Sequence, residues 1–497
     1  MRTGEDYLRS LDDGRKVYIE GERVEDVAAH PAFRAVARTV AHMFDLAAEP
    51  DSDLVFASPE AETEVNRVYM IPRSGEDLRR RREAITRWAE VSCGYLGRGP
   101  DHVAGFLAGF ASAPGLFDEG ERSFGENVTR FYRRAAAESL YLTYTIIPPQ
   151  VDRSSTAHDW DGELLQVGVL DERDDGMVVR GSQMLGTATA ISDVLFVSCI
   201  KPLTPADERY AVSFVVPVDA DGLKVYCRRP YACHQPSVFD YPLSTRFDES
   251  DALVVFDDVL IPWEDVFVYR DVELTRRQWF DTPAHVLGNS QAQIRLVTKM
   301  KFLIGIARRI AEVNKIDRIP SVQEKLGDLA SIAAIIEGMV LASEASPQMT
   351  GNAVVQPNPR FLYGAMGLQA ELYPRALQLV RELAGGGVIQ LPSSWRELVN
   401  EETREDMRRY VQSGPDVPAE ERVKLFKLAW DAIGSEFAGR HLQYEMFYAG
   451  APFVAKGYAY RNYGYDEPLE MVREFLEGYD LESATTAPEV EAAGADA

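Results

Sequence analysis

Apolar positions along the chain change their spacing twice. Up to about Tyr141 they recur every three or four residues, as in Phe33, Val36, Ala37, Val40 and Ala41, and a charged helical run, DLRRRREAITRWAEV, follows. That spacing lines one face of a helix and predicts a helical domain over residues 1–141. From Leu142 the period falls to two. LLQVGVL, MVVRGSQML, DVLFVSCI, YAVSFVVP, LKVYCR and ALVVF, parted by turn clusters such as DERDDG and DADG, predict short strands forming a barrel or sandwich over residues 142–270. Beyond Asp271 helical spacing returns and predicts a bundle over residues 271–480. Phe302, Leu303, Ile306, Ile310 and Val313 mark one helix. The next opens at Ser321, with Glu324 at capping-box spacing, and buries Leu326, Leu329, Ile332, Ala333, Ile336 and Met339. In LQLVRELAGGGVIQLP a glycine cluster stops a helix. Residues 481–497, LESATTAPEVEAAGADA, have little to bury and are expected to form a disordered acidic tail.

Charge narrows the function. The 497 residues carry 53 Lys and Arg against 78 Asp and Glu, a net charge of -25, which disfavours nucleic acid and anionic membranes as partners. Cys93, Cys199, Cys227 and Cys233 are too few and scattered for a disulfide framework, and none has CxxC spacing, so no metal site is expected. No apolar leader opens the chain and no stretch reads as a bilayer span, so a cytoplasmic protein is expected.

One stretch concentrates chemistry. In GYLGRGPDHVAG, Pro100 is suited to open a helix and Asp101 to stand in its first turn, so Arg98 and His102 flank a helix start. An arginine there is a permanent cation. An imidazole titrates between about pH 5 and 8, the window in which His102 would act as a base.

Six stretches resemble the oxygenase component of the 4-hydroxyphenylacetate 3-monooxygenase family: RTGEDYLRSLDDGRKVYIEGERVEDVAAHPAFR, GRGPD, TIIPPQVDRS, FDESDALVVFDDVLIPWEDVF, GGGVIQLP and GRHLQYEMFYAG. They follow the family's order nearly from end to end. The resemblance implies an α+β, acyl-CoA dehydrogenase-like fold, with a flavin between the β domain and the bundle. It also implies a two-component enzyme. A separate NAD(P)H:flavin reductase supplies reduced FAD (FADH2), and molecular oxygen is the co-substrate. A flavin C4a-hydroperoxide then hydroxylates a phenol ortho to its hydroxyl. A homodimer or homotetramer is implied as well.

Such chemistry needs an electron-rich ring. A phenol of pKa about 10 is ionised to only about one part in a thousand at neutral pH, and a nearby cation lowers that pKa by roughly one to three units. The resemblance gives that role to Arg98. Family members acting on 4-hydroxyphenylacetate carry tyrosine where this chain has His102 and histidine where it has Tyr144, so the two side chains are exchanged. Asn289-Ser290-Gln291 departs from the family's His-containing run. If His102 and Tyr144 share one cavity, acid–base capacity is kept with places swapped. Otherwise the pocket is rebuilt for another aromatic, a carrier-tethered one included. By the same resemblance Tyr144, Gln150, Arg153, Thr187, Thr189 and Gly450 contact FAD, while Ser198, Cys199 and Asn289 join Arg98 and His102 around the substrate. Two other readings are an acyl-CoA dehydrogenase-like flavoenzyme, which needs a carboxylate base, and a catalytically altered flavin-binding paralogue. Glu436 is expected to anchor Arg440 at i,i+4 rather than serve as that base. A cluster-bearing dehydratase of the same fold needs three cysteines and a histidine, which the cysteine positions do not supply.

Overall fold

The computed structural model describes residues 1–152, 154–160, 162, 164–233, 237–414 and 416–481, so almost all of the expected tail lies outside the described residues. The first part holds helices α1 (Gly4–Ser10), α2 (Arg34–Ala48), α3 (Gly75–Val91), α4 (Pro100–Ala111) and α5 (Gly125–Glu138). The spacing predicts a purely helical part, but four strands lie within it. Strands β1 (Val17–Ile19) and β2 (Glu22–Val24) form a hairpin, and β3 (Val55–Ser58) and β4 (Thr63–Asn66) form another. Glu20 and Gly21, at φ 54° and 86°, supply the left-handed turn of the first hairpin.

All six alternating runs contain strands. The middle region comprises β5 (Leu142–Thr145), β6 (Gly168–Arg173), β7 (Gly176–Gln183), β8 (Val194–Val197), β9 (Ser213–Pro217), β10 (Leu223–Cys227), β11 (Ala252–Pro262) and β12 (Val266–Val268). They make two sheets, β2-β1-β10-β11-β7-β6 and β12-β9-β8-β5. The N-terminal hairpin extends the first, with β1 parallel to β10 at Val17 opposite Val225 and Tyr18 opposite Tyr226. Between β10 and β11 lies the short helix α6 (Ser244–Phe247).

After the sheets come α7 (Val272–Phe280), α8 (Ala284–Val313), α9 (Pro320–Ala345), α10 (Pro359–Ala384), α11 (Arg404–Tyr410), α12 (Ala419–Ile433), α13 (Glu436–Phe447), α14 (Pro452–Asn462) and α15 (Asp466–Glu477). Helix α10 ends at Gly385, φ 55°, in the glycine cluster. Helix α9 corrects the expectation in three respects. Its N-cap is Ile319 with Pro320 first in the helix, so Ser321 caps nothing. Leu329, Ile332 and Ile336 are buried together with Val322 and Val340, while Leu326, Ala333 and Met339 are only half-buried. It is also long and apolar enough by composition to cross a bilayer; here it packs between α8 and α10.

Helix α8 is buried at every position from Ala284 to Leu296, and α4 lies across it with Pro100 to Phe110 all buried. Glycines set that crossing. A Cβ on Gly109 would stand 2.2 Å from Ala284 Cα, and one on Gly288 would stand 2.2 Å from the Phe106 ring.

Candidate functional site

Close approach of α4 and α8 lets short polar side chains meet. Pro100 opens α4 and Asp101 sits in its first turn, as the punctuation of the sequence predicts. His102, one residue on, is 1% exposed, and its Nδ1 lies 3.1 Å from Gln291 Oε1 on α8. Gln291 Nε2 donates to Asp101 Oδ1 at 3.1 Å. His102 Nε2 is buried without a hydrogen-bond partner. Burial, with Arg98 adding to it, holds the His102 imidazole well below its ordinary range, so it stays neutral. The pH 5 to 8 titration expected of His102 is thereby corrected. Asp101 is the group moved into that window, raised by burial to about 6.

The exchanged pair does come together. The rings of His102 and Tyr144 lie 5.4 Å apart, and Phe106 stands 5.2 Å from the first and 5.8 Å from the second. Behind Phe106, Trp279, Phe110 and Phe196 form a continuous aromatic wall, with ring centroids 5.4 to 5.8 Å apart.

Arg98 is 7% exposed. Its Nη1 donates to Tyr444 Oη at 2.7 Å and its Nη2 to the Tyr448 carbonyl at 3.2 Å. Its guanidinium carbon lies 5.2 Å from the Tyr144 ring centroid and 5.1 Å from that of Tyr444. Among the described residues no carboxylate pairs with this guanidinium. The nearby Glu249 instead takes the backbone N–H groups of Gly97 and Arg98 at 2.9 and 3.0 Å and pairs through its other oxygen with Arg440. Burial opposes the charge of Arg98, but Tyr144, Tyr444 and Glu249 outweigh it and leave its pKa above the ordinary value. Arg81, equally buried against Ser290 and the Leu287 carbonyl, is instead pulled down to about 10 by burial.

Glu249 belongs to a hub that sequence reasoning missed. Arg440 binds Glu249 at 2.8 Å and Asp251 at 2.6 Å, and Arg228 adds a bond to Asp251 at 2.9 Å. Glu436 does not anchor Arg440; it is exposed and lies 3.4 Å from Arg229. It is therefore no buried carboxylate base. The same hub straps the loop after β7. Thr187 Oγ1 donates to Asp251 Oδ1 at 2.7 Å, Gly186 N to the Ala252 carbonyl at 2.9 Å, and Ala188 N to the Glu249 carbonyl at 3.1 Å. Leu185 and Ala188 take left-handed φ of 59° and 62° in that loop, a conformation held only where the surroundings impose it. Arg440, Tyr444 and Tyr448 follow one another at intervals of four along GRHLQYEMFYAG, the signal that could have placed them on one face.

The remaining candidates are dispersed. Thr189 is fully buried and its hydroxyl has no partner, and Gly450 turns at φ 91° with only Val454 within 4 Å of a Cβ built there. An unsatisfied hydroxyl and an open left-handed turn suit the polar edge of an isoalloxazine ring and close backbone approach, so these residues fit the FAD that the resemblance implies. Gln150 is exposed and Arg153 lies outside the described residues. Ser198 is tied to Ser213 at 2.8 Å and Gln278 at 3.1 Å. Cys199 is buried beside Gln166, and burial pushes its thiol up to about 11. Asn289 bonds the His285 carbonyl one turn back on its own helix. Of the departing run it is Gln291 that meets His102.

The N-terminal model of 4-hydroxyphenylacetate 3-hydroxylase matches residues 3–268 and the C-terminal model residues 275–477. The chain is 34% identical to the oxygenase component of 4-nitrophenol 2-monooxygenase from Rhodococcus sp, over 97% of this chain and 93% of that protein. It is 33% identical to the 4-hydroxyphenylacetate 3-monooxygenase oxygenase component of Geobacillus sp., over 96% and 97%. The crystal structure of HpaB complexed with FAD and 4-hydroxyphenylacetate superposes with a TM-score of 0.91 at 31% identity, covering 98% of this chain and 100% of that one. A 4-hydroxybutyryl-CoA dehydratase from N. maritimus shares the fold, with a TM-score of 0.88 at 21% identity over 96% and 95%. The architecture is acyl-CoA dehydrogenase-like, and by matches spanning nearly its whole length this chain belongs to the 4-hydroxyphenylacetate 3-hydroxylase family.

Proposed function

We propose that the protein is the oxygenase of a two-component monooxygenase that hydroxylates a para-substituted phenol ortho to its hydroxyl. It takes reduced FAD from a separate NAD(P)H:flavin reductase. The observation carrying this reading is a buried guanidinium that, among the described residues, has no carboxylate partner, close to an imidazole nitrogen that has no partner there either. Buried charges are ordinarily paired; Arg98 is short of an anion, and a phenolate oxygen supplies one. The relatives named above act on 4-nitrophenol and 4-hydroxyphenylacetate, phenols differing at the para position, which supports the class and leaves the substituent to the pocket.

In this reading Arg98 binds the substrate oxygen and holds it ionised. His102 Nε2 accepts the hydroxyl proton, and Tyr144 packs against both. Thr187, Thr189, Gly450, Tyr144, Gln150 and Arg153 are the proposed residues for FAD, and Ser198, Cys199 and Asn289 are kept as proposed outer substrate residues, none of them bonded to Arg98. When bound, reduced FAD supplies the electrons that activate oxygen. The aromatic wall of Phe106, Phe110, Phe196 and Trp279 keeps water away while that happens. Self-association as a homodimer or homotetramer accounts for apolar side chains left exposed on α9, such as Ile335 and Leu341, and the cytoplasm, where a flavin reductase can reach it, is the proposed compartment.

The test is a phenol panel, free and carrier-tethered, with reduced FAD under 18O-labelled oxygen. A catechol carrying one labelled atom is expected. Reduced FAD that binds and consumes oxygen while every phenol stays unchanged would favour the altered paralogue.

A further inference from the structure

Asp101, Gln291 and His102 make a line of two hydrogen bonds, each 3.1 Å long, and the three side chains are 4%, 1% and 1% exposed. The direction of that line follows from what each group can do. An ionised carboxylate only accepts, so Asp101 selects the amide N–H end of Gln291. The amide oxygen then faces the ring and also only accepts. Nδ1 of His102 must therefore carry the hydrogen, and Nε2, which has no partner, keeps its lone pair. His441 shows the opposite arrangement. Its Nδ1 lies 3.2 Å from the Lys299 ammonium, a pure donor, so there Nδ1 holds the lone pair.

We propose that Asp101 and Gln291 are positioning residues that fix His102 in the Nδ1–H tautomer and so make Nε2 the acceptor of the substrate's hydroxyl proton. The inference rests on the hydroxylation reading for its substrate, but not for the tautomer. In the step, the phenol O–H bond breaks and an Nε2–H bond forms. The oxygen keeps the electron pair beside Arg98, and the imidazolium remains hydrogen-bonded to the Gln291 oxygen.

Protonation of Asp101 removes the constraint, because a carboxyl both donates and accepts: Gln291 can then turn either way and Nδ1 is no longer held to carry the hydrogen. The charged and titratable groups around the three side chains are Arg81 from α3, Arg295 from α8, Arg98 from the loop before α4 and Tyr144 from β5. Burial lifts Asp101 to about 6 against Gln291, Arg81 and Arg295. An acid limb near pH 6 is therefore expected from Asp101, not from the imidazole.

The experiment is a long-range 1H–15N correlation on the full chain labelled with 15N-histidine, with His102 assigned by its loss in His102→Gln. At pH 7.5 the native protein should show an N–H nitrogen at Nδ1 and an imine-type nitrogen at Nε2. Gln291→Leu and Asp101→Asn should each release the ring to a mixture, whereas Gln291→Glu, which shares one proton with Asp101 and keeps an accepting oxygen toward the ring, should keep the native tautomer. Turnover of 4-nitrophenol or 4-hydroxyphenylacetate should fall about a hundredfold in kcat for Gln291→Leu, with KM within about twofold, and recover in Gln291→Glu. A native Nε2–H tautomer, or a tautomer unmoved by both Gln291→Leu and Asp101→Asn, overturns the proposal. So does a released tautomer with unchanged kcat. Absence of any hydroxylation by the native protein, with the tautomer behaving as described, counts against the hydroxylation reading and leaves the fixed tautomer standing.

Discussion

One stripe of α8, stepping by four through Gln291, Arg295 and Lys299, serves two regions with opposite accounts of their charge. At its later end Glu445 receives both terminal nitrogens of Arg295 at 2.8 Å, Lys299 at 2.9 Å and Gln369 at 2.7 Å, with Arg295 and Lys299 fully buried. The carboxylate is saturated, and Arg295 and Lys299 hold its pKa down to about 2 despite burial. At the earlier end, among the described residues, stand Arg98 without a carboxylate partner, His102 Nε2 without a hydrogen-bond partner, and Asp101 lifted by burial. Charge at the Glu445 end is balanced by direct ion pairs, whereas among the described residues the Arg98 guanidinium donates to a tyrosine hydroxyl and a backbone carbonyl, with Glu249 acting on it only from nearby. Burial is similar in both places; among the described residues the difference is a guanidinium that meets no carboxylate at the earlier end.

The largest effect should come from unbalancing the saturated end. Glu445→Gln removes the anion from two buried cations, and breaking such a pair costs about 3–5 kcal/mol. Thermal and urea unfolding should show that loss, while the molecules that remain folded keep their phenol-bound chemistry. Equal stability would mean that Glu445 is not what balances Arg295 and Lys299. Arg98→Met should act the other way round, lowering hydroxylation about 10²–10³-fold, as expected for loss of a preorganised charge at a developing anion. Stability and reduced-FAD affinity should stay near those of the native protein. If flavin affinity falls in step with turnover, Arg98 belongs to the cofactor.

Asp101→Asn sharpens the contrast because it should improve stability while harming turnover. The pKa of Asp101 in the folded protein, about 6, lies above the 3.8 of an ordinary aspartate in an unfolded chain. Between those two values the unfolded chain has given up its proton and the folded chain has not. Stability therefore falls as pH rises through this window, by an amount on the order of 2 to 3 kcal/mol. An asparagine has no such slope. Unfolding followed from pH 4 to pH 7 should show the variant gaining on the native protein up to pH 6 and holding its lead above. Parallel curves would mean that Asp101 is ionised normally.

How far the sequence reveals this depends on whether a signal is local. Pro100 and Asp101 punctuate a helix start, and alternating runs announce strands, so Arg98 and the β layer are legible. The β1–β2 hairpin is not, because three-residue strands are too short to display a period. Gln291 is equally silent: its partners are 189 and 190 residues away, and nothing beside it in the chain separates it from Asn289, whose side chain folds back on its own helix. Glu436 and Arg440 show how a local rule misleads. Their i,i+4 spacing on α13 suits a surface pair, yet Asp251 and Glu249, from another part of the chain, offer Arg440 a better-enclosed pairing and leave Glu436 to solvent.

That hub supports the smallest prediction. Thr187 donates to Asp251, but Asp251 is also held by Arg440 and Arg228, and these cations, above all Arg440, keep it ionised against burial. Thr187→Val therefore strands no charge; it removes one neutral-to-charged bond from a carboxylate that remains satisfied. The net cost of a bond to a charged group is about 1.5 to 3 kcal/mol, lowered here because Asp251 keeps its two cations, and it falls on the loop carrying Thr189, not on Arg98. Reduced-FAD binding should weaken about five- to tenfold while kcat at saturating flavin changes less than about twofold. Glu249 fastens both regions, with its carbonyl on the loop and its carboxylate on the backbone of Gly97 and Arg98. Glu249→Gln, unlike Thr187→Val, should therefore depress flavin binding and turnover together, and a variant moving only one of them would show that the loop and Arg98 are not mechanically joined through this residue.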